Sequence, residues 1–189
     1  MKIDNKSKLI IPIVAALLIG IVSRIVPHVP NFTPIGAMAI FTGVLFRNKL
    51  GALALVLGTL FVSDLLLNNL VYAEYYEGFT LFTGGAFWIY GGFAAMIFIA
   101  PLLIKKLKAM PIVITSLLGS VLFFVLSNFG VFLASTMYSK DLSGLIATYT
   151  AAIPFFGGTM AGDLFFCAVM FGAYAMVSKK SLKAVELKA

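Results

Sequence analysis

Cysteine, histidine and charge are all scarce in this chain, and each scarcity removes a class of chemistry. The single cysteine, Cys167, excludes an intramolecular disulfide and any CxxC metal or redox motif. One histidine, His28, cannot build a multi-histidine metal site. Only 11% of the 189 residues are charged, against about 25% in an ordinary soluble domain. No HExxH, GxSxG or Walker A run occurs, so the chain encodes no zinc protease, nucleophile elbow or P-loop of its own.

What the chain does have is apolar length. Hydrophobic residues make up 61% of it, and the mean hydropathy is +1.07. A helix needs about 20 predominantly apolar residues to cross a bilayer. Apolar runs fall at 9–26, 32–46, 50–72, 80–104, 111–136 and 159–177, with short connections between them. The expectation is a single all-α domain over 1–189, an integral membrane bundle of about six transmembrane helices. The first run follows Lys2, Lys6 and Lys8 as a signal peptide would. No small-x-small cleavage site follows it, so it reads as a retained helix. Pro154 and Gly157-Gly158 predict a turn-rich passage before the last helix.

The formal net charge of +7 raises the question of nucleic acid, but the charges form no basic stripe. They cluster instead at the ends of the apolar runs, where they act as topology signals. Lys2, Lys6, Lys8, Arg47, Lys49, Lys105, Lys106, Lys108, Lys179, Lys180, Lys183 and Lys188 all fall on one side if both ends are cytoplasmic. Lys140 alone falls in an external loop, and Arg24 lies within the first span. The positive-inside rule therefore predicts both termini in the cytoplasm of a multi-pass protein of the bacterial cytoplasmic (inner) membrane. No nucleic-acid partner is expected.

Small residues recur four apart, as Ala16 and Gly20 in the first run and Gly158 and Gly162 in the last. Gly84, Gly91 and Ala95 line one side of the fourth. Such spacing lets helix backbones approach closely, either within the bundle or, for the first pair, against another subunit.

Ionisable groups inside a bilayer are costly, at about 2.5–3.5 kcal/mol each near a helix centre, and so mark candidate sites. Arg24, Asp64 and Asp163 lie within or at the edge of spans, all in the predicted outer half. Asp64, Asn68 and Tyr72 are four apart and form a polar stripe. His28 and Asn31 occupy the first external loop, and Asn128 follows Ser127 in the fifth span. Arg24 paired with one aspartate would hold the bundle together. The other carboxylate would then take a proton, a cation or a polar ligand. Cys167, four residues after Asp163, reads as a small apolar filler. Trp88, Tyr75, Tyr76 and Tyr138 suit an interfacial belt or the lining of a pocket.

These residues also carry a family resemblance. The run Arg24-x3-His28-x2-Asn31-Phe32-x-Pro34-x-Gly36-Ala37-x-Ala39 resembles the opening of a family of small bacterial membrane proteins of unknown function. Ser63-Asp64, Ser127-Asn128-Phe129-Gly130, Pro154-Phe155-Phe156 and Gly162-Asp163 continue the match over nearly the whole chain. That family in turn resembles the substrate-binding S-components of energy-coupling-factor transporters. The resemblance implies six helices, an outward-facing pocket for a vitamin or other micronutrient, and association with a transmembrane coupling subunit and two ATPases. Ala16-x3-Gly20 approximates the docking motif of the S-component first helix.

The expected function is uptake of a small vitamin-like or cobalamin-like molecule by a binding protein that is not an enzyme. No cofactor or metal is expected. Arg24 would meet an anionic or carbonyl group of the ligand, and Asp64 and Asp163 would accept its donors or balance Arg24. Asn31, Asn68 and Asn128 would orient it, with His28 and Tyr72 near the mouth. The rivals are an ion-coupled carrier or channel using Asp64 and Asp163, and a membrane-embedded enzyme.

Overall fold

The computed structural model describes residues 16–26 and 29–186. Residues 9–15 of the first apolar run and His28 lie outside the described residues. The described residues are helical with no strand: α1 (Ala16–Ile25), α2 (Ile35–Leu45), α3 (Lys49–Leu66), α4 (Ala86–Leu103), α5 (Ala109–Ala134) and α6 (Leu142–Glu186). Four segments are long and apolar enough to cross a membrane: Lys49–Val71, Ala86–Leu103, Ala109–Ala134 and Leu142–Ser178.

α2 is the hub of the bundle. Eight of its 11 residues are buried, because it is apolar on every side and is enclosed by α3, α4, α5 and α6. Its small residues make the enclosure possible. A Cβ on Gly43 would lie 2.9 Å from the Ile97 Cα of α4, closer than side chains tolerate. Ile35, Met38 and Ala39 pack with Leu55, Val56 and Leu60 of α3 and Phe93, Met96 and Ile97 of α4. On its other side Ala37 and Ile40 meet Ala100, Cys167 and Phe171. Cys167 is buried there as an apolar filler.

Several helix ends and hydroxyls are satisfied within the chain, although the buried hydroxyls of Thr115 and Ser116 have no hydrogen-bond partner among the described residues. Lys49 donates to the carbonyls of Gly43 (2.5 Å) and Phe46 (3.0 Å) at the end of α2, and Asn48 caps α3 by accepting from the Leu50 N–H at 3.0 Å. Lys140 donates to the carbonyls of Phe132 and Ser135 at the end of α5. Thr42, Thr59, Ser63 and Ser127 each return their hydroxyl proton to a carbonyl one turn earlier, so these polar groups need no water. Large apolar side chains instead face outward, including Leu18, Ile19, Phe87, Leu118 and Phe165.

Two elements depart from the sequence expectation. The turn-rich passage predicted around Pro154 is helix: α6 begins at Leu142 and runs 45 residues with Pro154 inside it. Proline removes one backbone hydrogen bond, and Gly157-Gly158 adds no obstruction of its own, so the packing of α6 along α5 carries the helix through. Tyr149 donates to the Val125 carbonyl at 2.7 Å, and Phe124 packs on Phe156 at 4.8 Å on either side of the proline. The second departure is at the end of α3, which widens into a π-helical turn over Leu67–Val71, closed by the Tyr72 N–H on the Leu67 carbonyl at 2.7 Å. Asn68 lies within that turn and Tyr72 just past it, so the stripe that starts at Asp64 does not stay on regular α-helix.

The Ala16–Gly20 pair lies inside the bundle. A Cβ on Gly20 would stand 2.6 Å from Thr59 Cγ2 and 3.3 Å from Met38 Sδ. Its close approach therefore serves α1 against α2 and α3.

Candidate ligand-binding site

The segment joining α1 to α2 fixes the floor of the largest cavity. Asn31 adopts φ 62°, a left-handed conformation that asparagine tolerates better than most residues. Hydrogen bonds from the Phe32 N–H to Val29 and from the Thr33 N–H to Asn31, each 3.0 Å, close the turn. Phe32 then inserts against Phe165 and Phe166 of α6, at ring separations of 5.7 and 5.4 Å. Gly158 and Gly162 make room for it: a Cβ on Gly162 would lie 3.2 Å from the Phe32 Cα. Their four-residue spacing therefore seats a loop against a helix, with no second helix involved.

Above this floor opens a cavity of about 680 Å³, within the usual range for small-molecule sites. Its polar wall carries Arg24, Asn31, Thr33, Ser127, Asn128 and Thr159. Its apolar wall combines Phe123, Phe124, Phe155 and Phe156 with aliphatic side chains such as Ile25, Val71 and Ile89, and Tyr72 also lines it. A smaller cavity of about 160 Å³ adjoins it, sharing Arg24, Asn31, Thr33 and Thr159, and reaches Gly36 and Asp163.

Arg24 spans the boundary between the two cavities. Its Nη1 meets Asp64 Oδ1 at 2.6 Å, donates to Ser63 Oγ at 2.5 Å and reaches the Leu60 carbonyl at 3.3 Å. All three contacts use one nitrogen, so among the described residues the Nη2 and Nε donors remain for the cavity. Asp64 also accepts from Tyr90 Oη of α4 at 2.8 Å. The pair is well shielded, with side-chain exposures of 19% and 20%.

Asp163 is held differently. It is 3% exposed, and among the described residues its one hydrogen bond comes from Ser120 Oγ at 2.7 Å. Its carboxylate lies against the first turn of α2, where a Cβ on Gly36 would be 2.8 Å from Cγ. No cation pairs with it among the described residues, where Arg24–Asp64 is the one ion pair.

The residues singled out from the sequence divide accordingly. Arg24, Asn31, Tyr72 and Asn128 line the large cavity, and Asp163 closes the small one. Asn128 spends an amide proton on the Phe124 carbonyl of its own helix at 2.8 Å, which leaves its carbonyl to the cavity. Asp64 stands behind Arg24 and lines neither cavity. Asn68 is buried and lines neither. Sequence reasoning missed Tyr90 and Ser120, the partners of the two aspartates. Their signal was a hydroxyl inside an apolar run, which is too common to single out without knowing which helices touch.

An all-helical bundle with four helices long and apolar enough to cross a membrane has the make-up of a membrane protein. The chain belongs to a family of unknown function, DUF6580, whose model matches residues 4–185. No curated protein and no solved structure matches it.

Proposed function

We propose that the protein crosses the bacterial cytoplasmic membrane six times, both ends inside, and binds a small micronutrient from outside for uptake. The observation that carries this is the 680 Å³ cavity, walled by four phenylalanines and a set of fixed polar groups. The basic clusters at Arg47–Lys49 and Lys105–Lys108 lie at the far ends of α2–α5 from the cavity, so the positive-inside rule opens the cavity outward.

Helix lengths support the same arrangement. The 11 residues of α2 rise about 16 Å, roughly half of the ~30 Å hydrocarbon core. The 29–34 segment would then sit deep in the membrane. Non-helical backbone at that depth is tolerated where it is buried in protein or lines a water-filled cavity. The long helices around it form the walls of an outward bowl, with this segment as its floor.

In this reading the aromatic wall binds the apolar body of the ligand. Asn31, Asn128 and the free donors of Arg24 orient it, and Asp64 positions Arg24. Release into the cell requires the bundle to move. A transmembrane coupling subunit with ATPases, as in transporters using S-components, would drive that motion.

Native mass spectrometry of the chain extracted from its own host membrane tests the proposal. Wild type should carry a small molecule, and Asn128→Leu with Phe155→Ala should lose it while melting within a few degrees of wild type. Co-purifying ATPases would identify the energising module. A chain that is empty, and that moves no solute into intact cells, would rule the binding role out.

A further inference from the structure

The two cavities are lined by one arginine and one aspartate, Arg24 and Asp163, with Asp64 standing behind Arg24, and the geometry decides which charge is left for a ligand. Arg24 is spent on Asp64 at 2.6 Å. Asp163 is buried at the bottom of the 160 Å³ cavity with a single hydroxyl donor, Ser120, and no cation within the described residues. If all three groups are ionised, the site carries one uncompensated negative charge.

We infer that the ligand is a small organic monocation, whose protonated nitrogen enters the lower cavity and meets Asp163. This rests on the binding role proposed above and reverses the charge first expected of Arg24. The inference stands on three features of the site. A buried carboxylate is costly unless paired or hydrogen-bonded, and a ligand ammonium supplies both forms of relief. A cavity of 160 Å³ has room for an ammonium group and the carbons next to it. The route to it passes Phe123, which lines both cavities, and the phenylalanines of the upper wall offer the ring faces that attract organic cations. Arg24, already neutralised, still presents Nη2 and Nε to a neutral acceptor on the ligand body. The predicted ligand therefore has a cationic head, an apolar or aromatic body and a carbonyl- or hydroxyl-type acceptor.

Probes of one shape and three charges test this on the purified full chain. Phenethylammonium, 2-phenylethanol and phenylacetate would be titrated by calorimetry, in potassium and then in sodium buffer. Phenethylammonium should bind wild type about tenfold or more tightly than either analogue, and Asp163→Asn should lose about that factor. The comparison among probes needs no variant, so it stands even if Asp163→Asn folds poorly. Preference for phenylacetate, equal binding of all three, no binding of phenethylammonium, or undiminished binding to Asp163→Asn would each overturn the inference. So would displacement of phenethylammonium by sodium at constant ionic strength, which would assign Asp163 to a metal cation and the protein to ion-coupled transport. Uptake is read separately in host cells. Absent uptake with intact ammonium preference would reject the transport role alone, whereas uptake of a ligand indifferent to Asp163→Asn would reject the charge assignment alone.

Discussion

At the scale of single residues, the two aspartates are stabilised by different means, and substitutions should separate them. Arg24→Gln leaves Asp64 shielded and uncompensated, and loss of one member of a buried pair costs up to about 3–5 kcal/mol. Arg24→Gln combined with Asp64→Asn removes both charges, and thermal unfolding in detergent should show the double variant recovering much of the loss. A double variant no more stable than the single would mean that Arg24 is not held for its charge. Gly36 gives a test of opposite sign. Glycine to alanine inside a helix ordinarily stabilises by about 1 kcal/mol. Here the new Cβ would lie 2.8 Å from Asp163 Cγ. A loss of about 1–3 kcal/mol is therefore expected from overpacking. Asp163→Ala in the same chain should cancel that loss, because the two sites then no longer collide.

At the scale of the element, α6 begins on a capped turn whose strength depends on pH. Asp141 accepts from the Gly144 N–H and from the hydroxyls of Ser143 and Ser139, each at 2.8 Å. The Gly144 N–H first, then the two hydroxyls, hold its carboxyl well below the ordinary 3.8, at about 2. The depressed value means that the cap contributes fully above the unfolded-chain value and fades as pH falls from about 4 through about 2. Protection of the amides at residues 142–146, corrected for the intrinsic exchange rate at each pH, should fall over that window in wild type. In Asp141→Ala it should already be low at pH 5 and change little on acidification. The same helix shows why a local signal can mislead. Pro154 and Gly157-Gly158 are breakers in isolation, but α5 lies along this segment of α6 and outweighs their preferences, and Gly158 is spent on the approach of Pro30.

At the scale of the whole molecule, the proposed six-crossing arrangement can be tested with single cysteines. Cys167 is buried, so Cys167→Ser gives a silent background. In intact cells an impermeant maleimide should label Lys140→Cys and Glu77→Cys, and should reach Lys106→Cys only after the membrane is opened. Labelling of Lys106→Cys from outside would reverse the orientation and turn the cavity inward.

Composition and hydropathy, both sums over local sequence, were sufficient by themselves for an all-helical chain with membrane-length apolar segments. The rarity of charge in those segments was enough to single out Arg24, Asp64 and Asp163, since each must have a physical reason to be there. Which aspartate Arg24 takes was not legible, because it depends on α1 lying against α3 instead of α6. The same holds for Tyr90 and Ser120, which matter only through the helices they face. The π-helical turn that follows α3 was hidden as well, since no proline or glycine announces it. Tertiary structure also decided that the glycine pairs of α1 and α6 serve close packing within the chain. Spacing fixes which residues share a helix face, but only packing fixes what that face meets.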